Sequence, residues 1–525
     1  MRRSMIKTLY LGATSACFEL NSASAYYAAQ AYDVFLNGQK VLNSDTNVFS
    51  LFDLLPDTAY ALRVVQGETD IPLAFSTRSE TCAVDVRQFS AVGDGVQDDT
   101  VAVQNAINFL PAGSRVYFPA GTYLCRPLSL RSHLTLDLHQ DAVILGCPDR
   151  AQYPILPGTV MDSQGREWMT GAFEGLTKPM YQSLIHAEYC EDIHITGRGV
   201  IDGNGQNGDW WTQFRNFETA RPRLMFFGNC KDVVIHGVTG RNGPSWNLHP
   251  FYSENFSCYD MCVQAPKDSP NTDAIDPEAC KGVNIIGCRL SVGDDCIAIK
   301  SGKIELSRQR LQAASDHVIR NCLMEFGHGA VTLGSETACG VKDLTVSHCV
   351  FKATDRGLRI KTRRGRGKHC DITGIVFENI VMDHVITPFV VNMWYNCCDP
   401  DRFSDYVKSR EKLPVDDRTP HLGSFTFRNI DCTNAHAAAC YIDGLPEAPI
   451  DEVTFENVRV SFADDAVPFV PAMQNDAVKR CKLGLYLNNV KKVVVRDSVI
   501  KGCEGNALVT ENCECVQTQG LREEK

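Results

Sequence analysis

A short unit recurs along most of this chain: a turn, a run of β-branched and apolar residues, and then asparagine, glycine or cysteine. Clear copies lie at 230–237, 280–288, 341–349, 450–458 and 490–495. Neighbouring units are mostly roughly 23 to 35 residues apart, with longer insertions near 400 and 470, which is typical of a solenoid. One such unit cannot bury its apolar side alone, so the units have to stack. The repeat therefore predicts a parallel β-helix that begins near residue 115.

A β-sandwich and a propeller are the alternatives that this pattern leaves open. A propeller has steadier periods of about 40 residues and antiparallel blades. Here the runs are short and the periods irregular, with one small residue between units, which favours the β-helix. Its coils would stack about 4.8 Å apart around one continuous core.

Residues 1–80 have a different pattern. The alternating segment 32–36 runs into Asn37-Gly38, a strong signal for a hairpin turn, and more short strands follow. This pattern predicts a small β-sandwich domain over 1–80, with the second domain over 81–525. The leucine, proline, threonine and tyrosine residues of segment 54–64 resemble a fibronectin type III domain. A packing or spacer role is the simpler interpretation of this domain.

A single short helix is predicted ahead of the coils. Segment 99–110 has apolar residues at helical spacing, and Asp98 or Asp99 can cap its start. A helix there would cover the open end of the solenoid and protect its exposed strand edge. The predicted fold class is therefore all-β.

Composition limits the possible functions. The charged fraction of 22% is ordinary, and a net charge of -11 argues against general nucleic-acid binding. No apolar run reaches the length of a membrane span, and the basic start at 1–7 precedes no apolar core of signal length. The 23 cysteines lack zinc spacing and favour free thiols in a reducing compartment. We therefore expect a cytoplasmic protein; the oligomeric state is not encoded in a readable pattern.

Four short motifs lie in the middle of the chain, each separated from the next by roughly one coil of 20 to 35 residues. In order they are Asn271-Thr272-Asp273, Gly293-Asp294-Asp295-Cys296, Gly327-His328-Gly329 and Arg359-Ile360-Lys361. Each alone is a common turn or strand sequence. On one face of a solenoid, however, stacking would bring their side chains together. The set then supplies three carboxylates, one histidine and two cations, which would form an active site for an anionic substrate.

The last motif suits a substrate carboxylate. Strand alternation places Arg359 and Lys361 on the same side of their strand, with Ile360 pointing inward. Arginine can bind a carboxylate bidentately, and lysine adds a point charge. The motif therefore predicts a cationic wall with an apolar anchor.

The acidic pair requires a bend. Asp294 and Asp295 would point to opposite faces of a regular strand, so both reach one cleft only at a bend or bulge, which Gly293 permits. Three close carboxylates repel one another, so at least one should have a raised pKa and stay protonated. A glycosidase needs this condition, because one acid protonates the leaving oxygen while another carboxylate activates water.

The four motifs, segment 94–100 and segment 246–250 together resemble glycoside hydrolase family 28, the polygalacturonase family of pectin-degrading enzymes. The resembling region runs from Asp85 to the C-terminus. The resemblance implies a right-handed parallel β-helix that hydrolyses α-1,4-galacturonide bonds with inversion and needs no metal or other cofactor. Its partner would be a pectic oligosaccharide or polysaccharide.

The resemblance also implies a role for each matching residue. Asp294 resembles the general acid, Asp273 and Asp295 the carboxylates that position and deprotonate water, and His328 the histidine that supports the protonation state of the acid. Substrate binding is implied for a further group: Arg359, Lys361, Tyr395, His249 and Asn271. Inverting carboxylates are typically about 6.5–9.5 Å apart, a separation that we expect neighbouring coils to supply.

The mode of action and the glycan are left open. The added N-terminal domain and segment 221–223 resemble bacterial exo-acting members, so we expect exo rather than endo action. Xylogalacturonan and rhamnogalacturonan oligomers are alternative substrates. A calcium-dependent pectate lyase is the second hypothesis, since three carboxylates could make a calcium site. A non-catalytic glycan-binding β-helix is a hypothesis from a different class.

Overall fold

The computed structural model describes residues 5–161, 163–169, 173, 175, 177–214, 218–396 and 404–525. Over these ranges the chain is almost entirely β-structure. The helices that it contains there are Thr100–Phe109, Ile304–Gln309 and Asp405–Lys408, with 3-10 turns at Val86–Phe89 and Arg150–Gln152. The predicted all-β class is confirmed.

The segment that ends at Ser76 forms two antiparallel sheets. The strands of one are Ile6–Leu11, Ala16–Leu20 and Val48–Leu51, and those of the other are Tyr27–Leu36, Gln39–Thr46, Ala59–Gln66 and Thr69–Ser76. Both contribute to one apolar core around Phe18, Phe49 and Val64. The predicted hairpin turn is present, and Asn37 and Gly38 both have positive φ. The small β-sandwich is thus confirmed, whereas its likeness to fibronectin type III and the boundary at residue 80 stay predictions.

Polar contacts join this sandwich to the coils that follow. Ser50 Oγ donates to Asp260 Oδ2 at 2.6 Å. The guanidinium group of Arg320 donates to both carboxylate oxygens of Glu19, at 2.5 and 2.7 Å, and Glu19 is buried. The sandwich therefore packs against the side of the coils and is held there by an ion pair.

The helix Thr100–Phe109 packs on the first coil, as predicted. Three of its side chains enter the core of the coils: Val103, Ala106 and Ile107. Asp98 Oδ1 accepts a hydrogen bond from the backbone N–H of Thr100 at 3.0 Å and so caps the helix start. The carboxylate of Asp99 instead accepts from the backbone of the preceding turn.

Two parallel stacks of strands form the long sheet of the described chain. The first stack contains Ala83–Asp85, Ser114–Phe118, Leu134–Leu138, Glu191–Gly197, Lys231–His236, Glu254–Tyr259, Lys281–Ile286, Ala314–Arg320, Val341–Ser347, Asp371–Asp383, His421–Leu422, Ser424–Ala435, Ile450–Phe462, Val490–Arg496 and Cys515–Gln519. The second contains Asp94–Asp98, Gly121–Cys125, Ala142–Gly146, Val200–Asp202, Thr239–Arg241, Cys262–Gln264, Arg289–Ser291, Leu323–Glu325, Val350–Lys352, Val499–Lys501 and Arg522–Glu524. Register runs straight through the coils, as from Val233 to Phe256 to Val283. The predicted parallel β-helix is confirmed.

A third stack completes the coils and carries the motifs. Its strands are Leu128–Ser129, Ile185–Glu188, Met225–Gly228, Leu248–Phe251, Ile297–Ile299, Val331–Gly334, Arg356–Lys361, Thr387–Asn392, Ala438–Asp443, Leu483–Asn488 and Leu508–Glu511. Ile275 bridges Leu248 and Ile297 and makes the stack continuous. Two short hairpins lie outside it: Ile155–Leu156 with Met180–Tyr181, and Thr159–Met161 with Glu167–Met169.

One apolar core fills the space between the three stacks. The cysteines of the described segments are free thiols, and most of them are buried in or near that core. Free cysteine behaves as a small buried hydrophobe, so these residues serve packing. No helix in the described part of the chain is long and apolar enough to cross a lipid bilayer.

Candidate active site

Asp294 and Asp295 lie on a bend between the strands Arg289–Ser291 and Ile297–Ile299. A Cβ atom on Gly293 would lie 2.6 Å from the carbonyl oxygen of Ser269, so glycine is required by a close backbone approach. Asp294 Oδ1 accepts a hydrogen bond from the backbone N–H of Asp295 at 3.0 Å. The bend lets both acidic side chains reach one cleft, as expected from the sequence.

The three carboxylates form a compact cluster. One oxygen from each of Asp273, Asp294 and Asp295 lies within 4.8 Å of the others. The backbone N–H of Ala274 donates to the carbonyl oxygen of Asp295 at 3.0 Å, so the two motifs lie on directly adjacent coils. The nearest oxygens are thus closer than the expected separation of about 6.5–9.5 Å between the carboxyl groups themselves, which stays a prediction.

Asp295 is held by both cations of the last motif. Arg359 Nη1 donates to Asp295 Oδ1 at 3.0 Å, and Lys361 Nζ donates to Oδ2 at 2.7 Å. Complete burial opposes ionisation of Asp295, but Lys361 and Arg359 outweigh it and keep its pKa below the ordinary carboxylate value. Asp295 is therefore a carboxylate anion at neutral pH.

Strand register places these cations. Arg359 pairs with Thr332 of the coil below, and Lys361 pairs with Gly334. Ile360 between them is fully buried in the core, as the alternation predicts. Gly329 lies under the same cluster, where a Cβ atom would come within 2.9 Å of Asp295 Oδ1. Asp295 thus occupies space that a side chain at position 329 would otherwise fill.

Asp273 is almost completely buried and has a raised pKa. The causes are burial first and then the neighbouring carboxylates Asp276 and Asp294, partly offset by Lys300. Lys300 Nζ lies 3.9 Å from Asp273 Oδ2 and 3.2 Å from Asp276 Oδ1. The predicted proton on one of the three carboxylates is therefore held at Asp273.

His328 borders the open side of the cluster. Its side chain is 52% exposed, and Nδ1 lies 2.8 Å from Asp355 Oδ2. Its backbone N–H donates to the carbonyl oxygen of Asp294 at 3.0 Å. The bond to Asp355 raises the pKa of His328, burial opposes this, and Asp294 adds to the rise. The raised pKa thus favours a positively charged His328 next to the acidic pair.

Two of the predicted substrate contacts lie beside the cluster. Asn271 has a positive φ of 55° and accepts a hydrogen bond from Arg221 Nη2 at 2.7 Å. The ring centroid of Tyr395 lies 5.9 Å from Lys361 Nζ, although the tyrosine is mostly buried. Both residues are close enough to the cations and acids to belong to the site, and their contact with substrate stays a prediction.

His249 lies beneath the cleft instead of in it. Nε2 is 3.0 Å from Glu278 Oε2, Nδ1 accepts from Arg223 Nε at 3.3 Å, and the residue is completely buried. Burial, followed by Arg223 and Lys300, keeps its pKa well below the ordinary histidine value. The predicted direct contact of His249 with substrate is therefore wrong, because both ring nitrogens have protein partners and no part of the ring is accessible.

Sequence reasoning missed several charged residues of the site. Lys300 and Asp355 contact predicted residues directly, and Asp276 lies 3.2 Å from Lys300. A signal existed for Lys300: Ile297 and Ile299 point into the core, so alternation places Lys300 on the same side as the cleft. Asp276 lies between the bridged residues Ile275 and Glu278, and Asp355 lies in a bend, so neither belongs to a regular strand whose alternation predicts the direction of a side chain.

Residues 463–482, which we call the strap, cross the cleft on its C-terminal side. Arg356 Nη2 donates to the carbonyl oxygen of Val470 at 2.7 Å, and Arg359 Nη2 lies 2.8 Å from Met473 Sδ. Asn392 Nδ2 donates to the carbonyl oxygen of Met473 at 2.8 Å. The strap thus covers the coils beyond the cationic motif.

The cleft is also closed on its N-terminal side. The rings of Phe173 and Trp246 stack with their centroids 5.7 Å apart, and Trp246 is 3% exposed. The guanidinium carbon of Arg223 lies 4.0 Å from the Trp246 ring centroid. A Cβ atom on Gly175 would lie 2.7 Å from Lys303 Cγ, so the backbone there touches the third stack.

The carboxylate cluster is also the group of described residues whose geometry could hold a metal ion. Carboxylate oxygens are the ligands that calcium prefers. In this structure Asp295 is already neutralised by Arg359 and Lys361, so a calcium ion would compete with those two cations. The calcium hypothesis therefore predicts that a chelator removes activity.

Comparison with known proteins identifies the same architecture. Residues 168–475 match the model of "Glycosyl hydrolases family 28", and residues 83–146 match "Rhamnogalacturonase A/epimerase, pectate lyase-like". A probable polygalacturonase of Vitis vinifera is 32% identical over 391 residues, which cover 72% of this chain and 74% of the relative. An exo-poly-alpha-D-galacturonosidase of Dickeya chrysanthemi is 24% identical over 497 residues, covering 83% and 77%.

Solved structures show the same fold. The family 28 exopolygalacturonase of Yersinia enterocolitica aligns with a TM-score of 0.69 at 19% identity and covers 98% of both chains. The polygalacturonase of Erwinia carotovora ssp. carotovora aligns with a TM-score of 0.58 at 23% identity, covering 74% of this chain and 94% of the other.

The family model and the relatives place this β-helix, with its clustered acids and cations, in the class of glycoside hydrolases. Within that class the assignment can be made narrower, because the family model covers more than half of the chain. The chain belongs to glycosyl hydrolase family 28.

Proposed function

We propose that this protein hydrolyses α-1,4-galacturonide bonds in pectic oligo- or polygalacturonides. The observation that carries the proposal is the contact of Asp295 with both Arg359 and Lys361, next to two further carboxylates. A galacturonate unit presents a carboxylate beside a glycosidic oxygen, and the site offers cations for the first and acids for the second. The names of its polygalacturonase relatives support the same substrate.

The acid and base roles follow from exposure and charge. Asp294 is the least buried of the three carboxylates, so it is the one that an entering glycosidic oxygen can meet. Asp295 is ionised and can accept a proton from the attacking water. Asp294 is therefore the proposed acid, and it lies in one cluster with Asp273, whose pKa is raised.

Arg359 and Lys361 would bind the substrate carboxylate while keeping Asp295 in place. Arginine has five N–H donors and lysine three, and Asp295 uses one donor of each. The remaining donors can reach a second carboxylate. A neutral galactose unit would offer no carboxylate to these remaining donors, so the proposed site selects for the acid sugar.

Product analysis of oligogalacturonides of defined length tests this function. We expect saturated products, no change on adding a chelator, and a loss of at least about 1000-fold in kcat for Asp294→Asn. Asp316→Asn is the matched control, since Asp316 is exposed and lies on the strand Ala314–Arg320 of the first stack, away from the third stack. Unsaturated products or a calcium requirement would establish the lyase instead, and full activity of Asp294→Asn would refute the proposed acid.

The stereochemical course needs its own measurement. One oxygen from each carboxylate lies within 4.8 Å of the others, whereas the two carboxyl groups are about 6.5–9.5 Å apart in inverting enzymes and about 5–5.5 Å apart in retaining ones. We propose inversion nevertheless, because Asp295 is held by two cations and is poorly placed to attack as a nucleophile. Proton NMR of the first product should show the β-anomer; an α-anomer formed first would mean retention.

We further propose that the enzyme acts at chain ends. The closure of the cleft by the strap on one side and by Phe173 and Trp246 on the other supports this mode. Such packing on both sides would hinder a long chain from lying across the site. Early digestion of polygalacturonate should therefore release one short product, whereas a ladder of sizes would establish internal cleavage.

A further inference from the structure

His328 and Asp355 form a pair that the acid and base roles do not use. The two side chains come from adjacent coils, since the backbone N–H of Asp355 donates to the carbonyl oxygen of Gly327 at 3.0 Å. His328 Nδ1 lies 2.8 Å from Asp355 Oδ2, and the side chain of Asp355 is 22% exposed. The imidazole ring is half-exposed, and its Nε2 atom lies on the side of the ring opposite this bond.

We propose that Asp355 is a positioning residue for the hydrolysis, which holds His328 through Nδ1 so that its Nε2–H donor faces the open side of the cleft beside Asp294. The inference rests on the proposed function. A carboxylate on one ring nitrogen fixes both the orientation of an imidazole and the nitrogen that carries the second proton. Asp355 itself does not touch the substrate.

The charges around the pair favour a doubly protonated histidine. Asp294, Asp295 and Asp355 all face His328 and raise its pKa, whereas burial lowers it. Burial raises the pKa of Asp355, but His328 and then Arg356 outweigh it and leave that pKa below the ordinary value. Removing the charge of Asp355 therefore lowers the pKa of His328, and the ring loses its Nε2 proton at a lower pH.

Arg356 connects this pair to the strap. Nη1 of Arg356 lies 3.3 Å from Asp355 Oδ2, while Nη2 and Nε donate to the carbonyl oxygens of Val470 and Pro471 at 2.7 and 3.2 Å. Arg356 is buried, and burial followed by the repulsion of Arg359 lowers its pKa to about 10. The strap thus fixes the arginine that in turn fixes Asp355.

Asp355→Asn tests the role in the purified full-length protein. We expect kcat on oligogalacturonides to fall about 10- to 100-fold with little change in KM, because Asp355 acts only through His328. The alkaline limb of the kcat–pH profile should move to lower pH. Asp355→Glu keeps the charge and should restore part of both effects.

The matched control is Asp383→Asn. Asp383 bonds the ring Nδ1 of its neighbour His384 at 2.9 Å on an exposed strand edge, so the same substitution breaks an aspartate–histidine pair outside the site. Circular dichroism and thermal melting of each variant verify the fold. Equal kinetic effects of Asp355→Asn and Asp383→Asn would overturn the proposal.

An NMR titration measures the pKa of His328 and so tests its contact with Asp355 without requiring activity. Its ring signals can be assigned by comparison with His328→Gln, and its pKa should be lower in Asp355→Asn than in the wild type. An unchanged pKa would overturn the pairing, and a lowered pKa with unchanged kcat would overturn the positioning role. A wild type that cleaves no pectic substrate would refute the proposed function and the role in hydrolysis together, while the titration would still report the pair.

Discussion

At the scale of single residues, the site depends on how a few buried charges compensate one another. Asp295 is buried and ionised because two cations bind it, whereas burial and then the neighbouring carboxylates raise the pKa of Asp273. Breaking a buried pair leaves an uncompensated charge, which costs several kcal/mol. Substitutions in this cluster therefore affect proton affinity as well as contacts.

Lys361→Met should weaken substrate binding more than turnover. A hydrogen bond between charged groups contributes about 1.5–3 kcal/mol, so KM for galacturonides should rise about 10- to 100-fold. Lys368→Met is the control, since Lys368 is exposed and pairs with Asp417 on the surface. Steady-state kinetics on trigalacturonate measures both; an unchanged KM would contradict the cationic wall.

Gly329→Ala should reduce kcat/KM by at least about 100-fold while the protein still folds. The added methyl group would come within 2.9 Å of Asp295 Oδ1 and press on Thr332, and such overpacking costs about 1–3 kcal/mol. Gly240→Ala is a suitable comparison, because its nearest neighbour is the flexible end of Met225 at 3.3 Å. Activity and thermal melting should be recorded for both; normal activity of Gly329→Ala would argue against a fixed Asp295.

At the scale of elements, the coils place the chemistry and the strap limits access to it. Phe469 and Arg480 exchange both backbone hydrogen bonds, at 3.0 and 2.9 Å, and form the base of the strap. Beyond this base, residues 470–479 contact the third stack mainly through side chains that reach up from the coils. The strap can therefore be shortened without changing any coil.

Replacing residues 470–479 with Asn-Gly should change the product pattern. A two-residue turn fits between paired antiparallel residues such as Phe469 and Arg480. We expect a mixture of oligomer sizes from polygalacturonate and a lower kcat, because Arg356 loses the carbonyl groups that hold it. Chromatography of early products shows the change. A single short product from the shortened protein would mean that the strap does not set the mode of action.

Sequence patterns predicted the repeating elements well and the turns poorly. Strand alternation placed Arg359, Ile360 and Lys361 correctly, because successive side chains of a strand point alternately into and away from the core. The acidic pair was predicted to share a cleft only because a glycine preceded it. The burial of His249 and the pairing of Asp355 with His328 depend on contacts between coils, which no local pattern encodes.

At the scale of the whole molecule, the sandwich and the coils meet at buried titratable groups. Burial raises the pKa of Asp260 from its ordinary value of 3.8 to about 7, and the hydrogen bond from Ser50 opposes this. A carboxyl group with a raised folded pKa stabilises the fold most when protonated. Its contribution is present below about pH 4 and is lost as the pH rises through about 7.

Asp260→Asn should make the stability of the fold less dependent on pH. Melting temperatures of the wild type should fall between pH 4 and pH 8 more than those of the variant, whose amide does not ionise. Asp316→Asn, which alters an exposed residue of the same coils, should follow the wild type. Parallel curves for wild type and Asp260→Asn would show that Asp260 does not titrate in this range.

Each coil of the stack contacts mainly its immediate neighbours, so order is lost from the ends inward. The four motifs lie well inside the stack, whereas the base of the strap immediately precedes Leu483–Asn488, near the C-terminal end. Loss of order that starts at the last coils would therefore release the strap first and disturb the carboxylate cluster later. In mild denaturant, hydrogen exchange at the C-terminal strands and a broadening of product length should both precede the loss of hydrolysis.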